Sequence, residues 1–337
     1  MPGTHEPRGR PYVGRLAPSP TGALHVGNVR TFLVAWLRAR QEDGRLLLRI
    51  EDLDHPKVKR GASRALLEDL RWLGLDWDEG PERGGPHAPY VQSRRSAHYR
   101  RALGRLAAGG HLYACSCTRR DVTSSASAPH GLDGPLYPGT CRDRFPGWHA
   151  AQLAARPRAA AIRFRVPPQA HVRVRDRFAP PLDAPAHRIG DFVVARHGAS
   201  HAYQLAVVVD DLAMGVTEVV RGDDLLPSTP RQILLYRALG HEPPAFVHLP
   251  LVVGPDGRRL AKRHGDTRIA AIRAAGARPA ALLGWLARSL GIDVDAVEHP
   301  EALLAAFRLD AVPPEPCVLE PERFAREIGI APAALGA

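Results

Sequence analysis

The stretch "RLAPSPTGALHVGN", Arg15 to Asn28, stops regular structure and restarts it at once. Pro18 and Pro20 fix the backbone and remove donors, while Gly22 and Gly27 relax it, so the stretch reads as a sharp loop. "HVGNVRTFLVAWLRARQ" then has the apolar spacing of a helix. Before the loop, "PYVGRLA" reads as a short strand; beyond the helix, "GRLLLRIEDLD" reads as a buried strand ending in acids. Strand, helix, strand is the seed of a parallel sheet covered by helices. Ligands of such sheets bind beyond the C-terminal strand ends, where the loop lies. Its glycines and prolines let backbone approach a ligand, and the helix N-terminus offers N–H groups and partial positive charge to phosphate. His25 and Asn28 fall on that first turn. A Gly/Pro turn before a helix is also common plain architecture, so the rest of the chain has to decide.

With 337 residues, 45% hydrophobic and 24% charged, the sequence has the composition of a folded globular protein large enough for two or three structural units. Its apolar runs, such as Leu205 to Val209, fall far short of the roughly 20 residues that span a membrane, so no membrane partner is expected. "MPGTHEPRGRPYVG" lacks the apolar core of a secretory signal. With only four cysteines, three of them clustered, a reducing, cytoplasmic setting is expected. A net charge of +11 and a pI near 10.1 point to an anionic partner, most simply nucleic acid, although an Arg-rich, Lys-poor composition also raises the charge.

Along the chain, a flexible tail (1–10) precedes the first half of an α/β domain (11–111), which carries the helices "SRALLEDLRW" and "SAHYRRALGRLAAGG". From 112 to 187 the texture changes to cysteines, loops and short Arg-rich strands such as "AIRFRV" and "VRVRDRF", an insertion with its own small fold. Within it, Thr123 to Pro135 is the most loop-like part. "DFVVAR", "YQLAVVVDDL" and "EVVRG" read as strands returning to the first sheet, giving a second half of that domain at 188–250. The remainder, 251–337, is mainly helical. "CSC" at Cys115 to Cys117 with Cys141 supplies three soft ligands, one short of a tetrahedral zinc site. His130, His111 or water is open as the fourth, and Cys317 reads as an ordinary buried thiol.

Four blocks carry a resemblance. "GRLAPSPTGALHVGN" resembles the signature loop of class I aminoacyl-tRNA synthetases, with "HVGN" in the place of His-x-Gly-x. "RIEDLD" (Arg49 to Asp54), "YQLAVVVDDLAMGVTEVVRGDDLLPSTPRQ" (Tyr203 to Gln232) and "RRLAKR" (Arg258 to Arg263) narrow the match to the glutamyl branch. Within it, "AYQLAVVVDD" and an end soon after the second ATP block resemble the short glutamyl-Q tRNA(Asp) synthetase family. The resemblance implies a class I, Rossmann-like α/β fold with a parallel sheet, a small zinc-containing insertion and a C-terminal helical region that contacts tRNA.

It also implies the chemistry. ATP would activate L-glutamate to glutamyl-adenylate without tRNA, and glutamate would pass to the queuosine base in the anticodon of tRNA(Asp). A true but truncated glutamyl-tRNA synthetase and a non-catalytic RNA-binding paralogue are the alternatives. Arg15 and Arg221 fall where the family holds the substrate's carboxylates, a task suited to a planar fork of donors. Ser19 and Tyr203 would add hydroxyls, and Glu51 would hold the ammonium. His25, Gly27, Asn28 and Lys262 would bind ATP, with His25 and Lys262 serving catalysis and Mg2+ travelling with the nucleotide. In "RRLAKR", Arg259, Ala261 and Arg263 depart from Lys-Met-Ser-Lys-Ser, and only Lys262 matches. The family pattern Cys-x-Cys, loop, Tyr-x3-Cys assigns one structural zinc to Cys115, Cys117, Tyr137 and Cys141. A monomer is expected. Asp210 and Asp211 are read as structural groups near the site.

Overall fold

The computed structural model describes residues 11–20, 22–53, 61–124, 130–132, 134–196, 200–260, 262–294 and 296–336. The tail at 1–10 and Ala261 lie outside the described residues, as do the side chains of His130 and Lys262.

The opening unit forms as its pattern predicts. Strand Val13–Leu16 pairs in parallel with Arg45–Leu48, in register from Val13 opposite Arg45 to Leu16 opposite Leu48, and helix Val26–Gln41 makes the crossover. Both strands are almost wholly buried, which is why they read as continuous apolar runs. A second parallel pair, Glu218–Gly222 with Ala245–Leu249, is bridged by helix Thr229–Ala238. The two units meet edge to edge: the Thr217 N–H donates to the Val13 carbonyl at 2.9 Å, and Arg15 Nη1 donates to the Val220 carbonyl at 2.8 Å. From this junction the chain winds outward in both directions, leaving a crevice above the strand ends.

Two of the strands expected to return to this sheet do something else. Phe192–Arg196 joins an antiparallel four-stranded sheet, in the order Ser200–His201, Phe192–Arg196, Ala161–Phe164, Leu112–Cys115. "YQLAVVVDDLA" is not a strand but a helix, Tyr203–Ala213. Every residue from Leu205 to Asp211 is buried there, so the helix shows no polar face, and its unbroken apolar run imitates a buried strand. Only "EVVRG" is parallel strand as expected.

The helix Tyr203–Ala213 carries two adjacent buried acids that tie the domain together. Asp210 accepts from Arg95 Nε at 2.6 Å, Tyr99 Oη at 2.9 Å and Gln92 Nε2 at 2.9 Å. Asp211 accepts from Arg49 Nη1 at 2.6 Å, and Arg49, fully buried, reaches Glu51 with Nη2 at 2.9 Å. On the far side, buried Arg30 of the first helix clips the C-terminal region in place. Its guanidinium donates to the carbonyls of Pro250 (2.8 Å) and Ser289 (3.0 Å) and to Ser289 Oγ (3.1 Å). Helix Pro279–Ser289 thereby shares one apolar core with helix Val26–Gln41.

Burial separates these ion pairs from surface ones. Asp210→Ala would leave the buried Arg95 guanidinium, with Tyr99 and Gln92, short of its acceptor and should lower unfolding free energy by about 3–5 kcal/mol. Glu68→Ala, which breaks the exposed i,i+4 pair Arg64–Glu68, should cost only about 0.3–0.5 kcal/mol. Denaturant titration of both variants checks this; equal losses would mean that the buried network does not dominate.

Candidate active site

The loop that breaks the sequence at Pro18 and Pro20 is pinned from two sides. The Leu16 and Pro18 carbonyls accept from the N–H groups of Arg49 and Glu51 at 2.9 and 3.0 Å, which carries the first strand pair onward past its regular part. At the helix entrance Ile269 N–H donates to the Leu24 carbonyl (2.9 Å) and Val26 N–H to that of Thr267 (3.1 Å). His25 therefore bridges to Arg268, and a C-terminal segment holds the loop from outside.

The crevice above the strand ends is a cavity of about 660 Å³. Of the residues expected to act on glutamate or ATP, Arg15, Ser19, His25, Gly27, Asn28, Glu51, Tyr203 and Arg221 all line it. Lys262 cannot be compared, because its side chain lies outside the described residues; Arg259 of the same block reaches the cavity and pairs with Asp224 at 3.0 Å.

One wall is built for an anion. Arg15 and Arg221 are 5% and 4% exposed, and each keeps a buried N–H without a hydrogen-bond partner among the described residues: Nε of Arg15 and Nη1 of Arg221. Leaving a buried donor unpaired costs about 1–3 kcal/mol, so both groups favour an acceptor; Arg15 Nε already has the Asp211 carboxylate at 3.9 Å. Burial, and then the neighbouring Arg15 charge, pulls the Arg221 pKa below its usual value, which also favours an anion there. Beside them Glu51 is the one acidic wall residue on this side; burial pushes its pKa up against the pull of Arg49. Tyr203, 37% exposed on the first turn of its helix, has room for a partner.

The opposite wall is the start of the first helix. Burial, reinforced by the Arg259 charge, pushes the His25 pKa down to about 4, so its imidazole is neutral near pH 7. A side chain at Gly27 would place Cβ only 3.2 Å from that ring, so glycine is what lets the imidazole lie over the helix entrance. Asn28 has a structural task as well: its Oδ1 accepts from the His25 N–H at 3.3 Å and caps the helix.

Sequence reasoning missed three groups behind the wall. Arg221 Nε donates to His248 Nε2 at 2.9 Å and Nη2 to Thr229 Oγ1 at 2.8 Å, while His248 Nδ1 meets Asp176 Oδ2 at 2.5 Å. Asp176 stands in the Arg-rich "VRVRDRF", where only its position between arginines sets it apart.

A second centre lies in the inserted stretch. The Sγ atoms of Cys115, Cys117 and Cys141 lie within 4.8 Å of one another, with Cys117 and Cys141 3.5 Å apart. Tyr137 Oη is 3.4 Å from Cys115 Sγ and 3.8 Å from Cys117 Sγ. A tetrahedron with zinc–sulfur bonds of about 2.3 Å has sulfur–sulfur edges of about 3.8 Å, close to the Cys117–Cys141 separation, so the three thiols are near enough to hold one metal ion. His111 stacks on Phe164 and is not part of the cluster. Cys317 lies apart on a short strand and is only half-buried.

With this geometry in hand, residues 12–301 match the pattern of the catalytic domain of tRNA synthetases class I (E and Q). The chain is 53% identical to a glutamyl-Q tRNA(Asp) synthetase of Symbiobacterium thermophilum, over 93% of this chain and 97% of that protein. It is also 42% identical to a glutamate–tRNA ligase of the same organism, over 81% of this chain but 56% of the ligase. Among solved structures, a glutamate tRNA ligase from Elizabethkingia meningosepticum, in complex with its amino acid, superposes with a TM-score of 0.80 at 27% identity, covering 94% of this chain and 69% of the other. Loop, crevice and matched region agree, and the chain belongs to the class I tRNA synthetases of the E and Q branch.

Proposed function

We propose that this enzyme activates L-glutamate with ATP and transfers it to the queuosine base at the wobble position of tRNA(Asp). The observation that carries the first half is the anion-seeking wall: two buried guanidiniums with donors to spare beside one carboxylate, matching an amino acid with two carboxylates and one ammonium. Support for the second half comes from similarity: the chain is 53% identical over 93% of its length to a glutamyl-Q tRNA(Asp) synthetase, against 42% over 81% to a glutamate–tRNA ligase. Its net charge of +11 suits an RNA partner.

In this reading Arg15 and Arg221 bind the carboxylates, Ser19 and Tyr203 add hydroxyl contacts, and Glu51 holds the ammonium. The glutamate α-carboxylate attacks the α-phosphorus of ATP and pyrophosphate leaves, so no covalent bond to the protein forms. Gly27, Asn28 and the helix N-terminus receive the phosphates. Neutral His25 donates a hydrogen bond to the transferring phosphoryl group, and Lys262 stabilises its charge from the other side. Mg2+ enters with ATP, held mainly by phosphates and water. Cys115, Cys117, Tyr137 and Cys141 hold one zinc ion that braces the insertion at 112–187, and the helical region after 251 contacts the tRNA. The enzyme works as a cytoplasmic monomer; among the described residues no helix is long and apolar enough to cross a membrane.

The deciding experiment is ATP-dependent transfer of labelled glutamate to tRNA from queuosine-containing and queuosine-deficient cells, resolved by individual tRNA. Label on tRNA(Asp) from the first source alone is expected. Label on tRNA(Glu) from both would make the chain a short glutamyl-tRNA synthetase, and no label would make it a non-catalytic RNA-binding relative. Lys262→Ala should abolish glutamate-dependent ATP–pyrophosphate exchange; retained exchange removes that lysine from the chemistry. Elemental analysis of protein purified without chelator should find about one zinc per chain. Cys117→Ser should lose it, and a wild-type zinc content well below stoichiometric would refute the metal assignment.

A further inference from the structure

We infer that Asp176, His248 and Thr229 are positioning residues for substrate binding: a buried hydrogen-bonded chain that aims Arg221 so that only its Nη1 edge faces the incoming carboxylate. This rests on the glutamate reading proposed above and deepens it.

The direction of the chain follows from what each group can do. A guanidinium only donates, so His248 Nε2, 2.9 Å from Arg221 Nε, must accept and carry no proton. The ring proton is then on Nδ1, pointing at Asp176 Oδ2 at 2.5 Å. Asp176 cannot swing away, because its other oxygen accepts the backbone N–H groups of Phe178 (2.9 Å), Ala179 (2.8 Å) and His248 (3.1 Å). Against burial, the His248 side chain, and after it the backbone N–H groups of His248 and Ala179, hold the Asp176 carboxyl below its usual value, which keeps it the acceptor His248 needs. The Asp176 and His248 side chains have no exposed surface, so no water competes for these bonds.

The guanidinium is fixed in two further ways. Thr229 Oγ1 accepts from Nη2 at 2.8 Å, and the Phe246 ring lies 5.3 Å below the guanidinium carbon. With Nε and Nη2 committed, Nη1 alone is without a partner among the described residues, and Arg221 lines the cavity. A free arginine would lose side-chain entropy on gripping a ligand; this one is immobilised beforehand, which concentrates the benefit in affinity for the anion. Among the described residues Arg15 has no comparable support, since its one hydrogen bond there goes to a backbone carbonyl and Asp211 stands 3.9 Å from its Nε. The chain also crosses the fold: Asp176 follows a strand of the hairpin His171–Val174 with Leu182–Pro185, whereas Arg221 and His248 stand on the two parallel strands of the second unit.

Steady-state pyrophosphate exchange on the full-length enzyme tests this, with glutamate and ATP varied separately. Thr229→Val, which keeps shape and removes the acceptor, and Asp176→Asn, which keeps shape and removes the charge, should each raise the glutamate KM by about tenfold or more, the cost of one misdirected charged hydrogen bond. The ATP KM should stay within about twofold, and Thr229→Ser, which restores the hydroxyl, should recover the glutamate KM. A purely structural role would move both KM values together or only the melting temperature, and that outcome, or an unchanged glutamate KM, overturns the inference. If Asp176→Asn does not fold, the Thr229→Val and Thr229→Ser pair decides alone. Absence of glutamate-dependent exchange in the wild-type enzyme would instead defeat the proposed function, so the two failures are distinct.

Discussion

The adjacent acids Asp210 and Asp211 are the constraint on which the rest of the catalytic region hangs. Two carboxylates side by side in the buried stretch of one helix are unfavourable unless cations meet them, and Arg49 and Arg95 do so from two other segments. Through Arg49 the network fixes Glu51, and through its proximity to Arg15 it sets the charge of the cavity wall. Structural electrostatics and the ligand-facing groups are thus one lattice: the residues facing the cavity are the outer members of a chain whose inner members hold the fold.

This arrangement explains the unequal legibility of the sequence. The first βα unit could be read directly, because its strands are short apolar runs and its helix is bounded by a loop with unmistakable backbone chemistry. The wall residues could be named because they stand in or beside four distinctive blocks. What could not be read is anything that depends on burial from all sides or on pairing across long separations. The helix Tyr203–Ala213 has no polar stripe, so its period is hidden. "DFVVAR" has a strand pattern, yet nothing in it specifies an antiparallel partner in the inserted stretch. Asp176 and His248 are separated along the chain by four strands and several helices, and Arg30 looks like any surface arginine of an amphipathic helix until its three acceptors are seen.

The cysteine cluster shows the same division. Three soft ligands with metal-like spacing were visible as a group, but the sequence alone left the fourth position open among histidines and water. Geometry brings the Tyr137 oxygen to the thiols and stacks His111 elsewhere. It also sets the Arg163 guanidinium 3.7 Å from the centre of the Tyr137 ring, a contact between residues well separated in the insertion that no local pattern encodes.

The tether between the loop Leu24–Val26 and the segment Thr267–Ile269 has a mechanical consequence. Arg259 is bridged to Val253 at one end of the intervening chain, and Thr267 is bonded to the first helix at the other. The stretch that carries Lys262 is therefore anchored at both ends, and its length bounds how far it can travel. Because Thr267 is held by backbone to Val26, any shift of this stretch is carried to the entrance of the first helix.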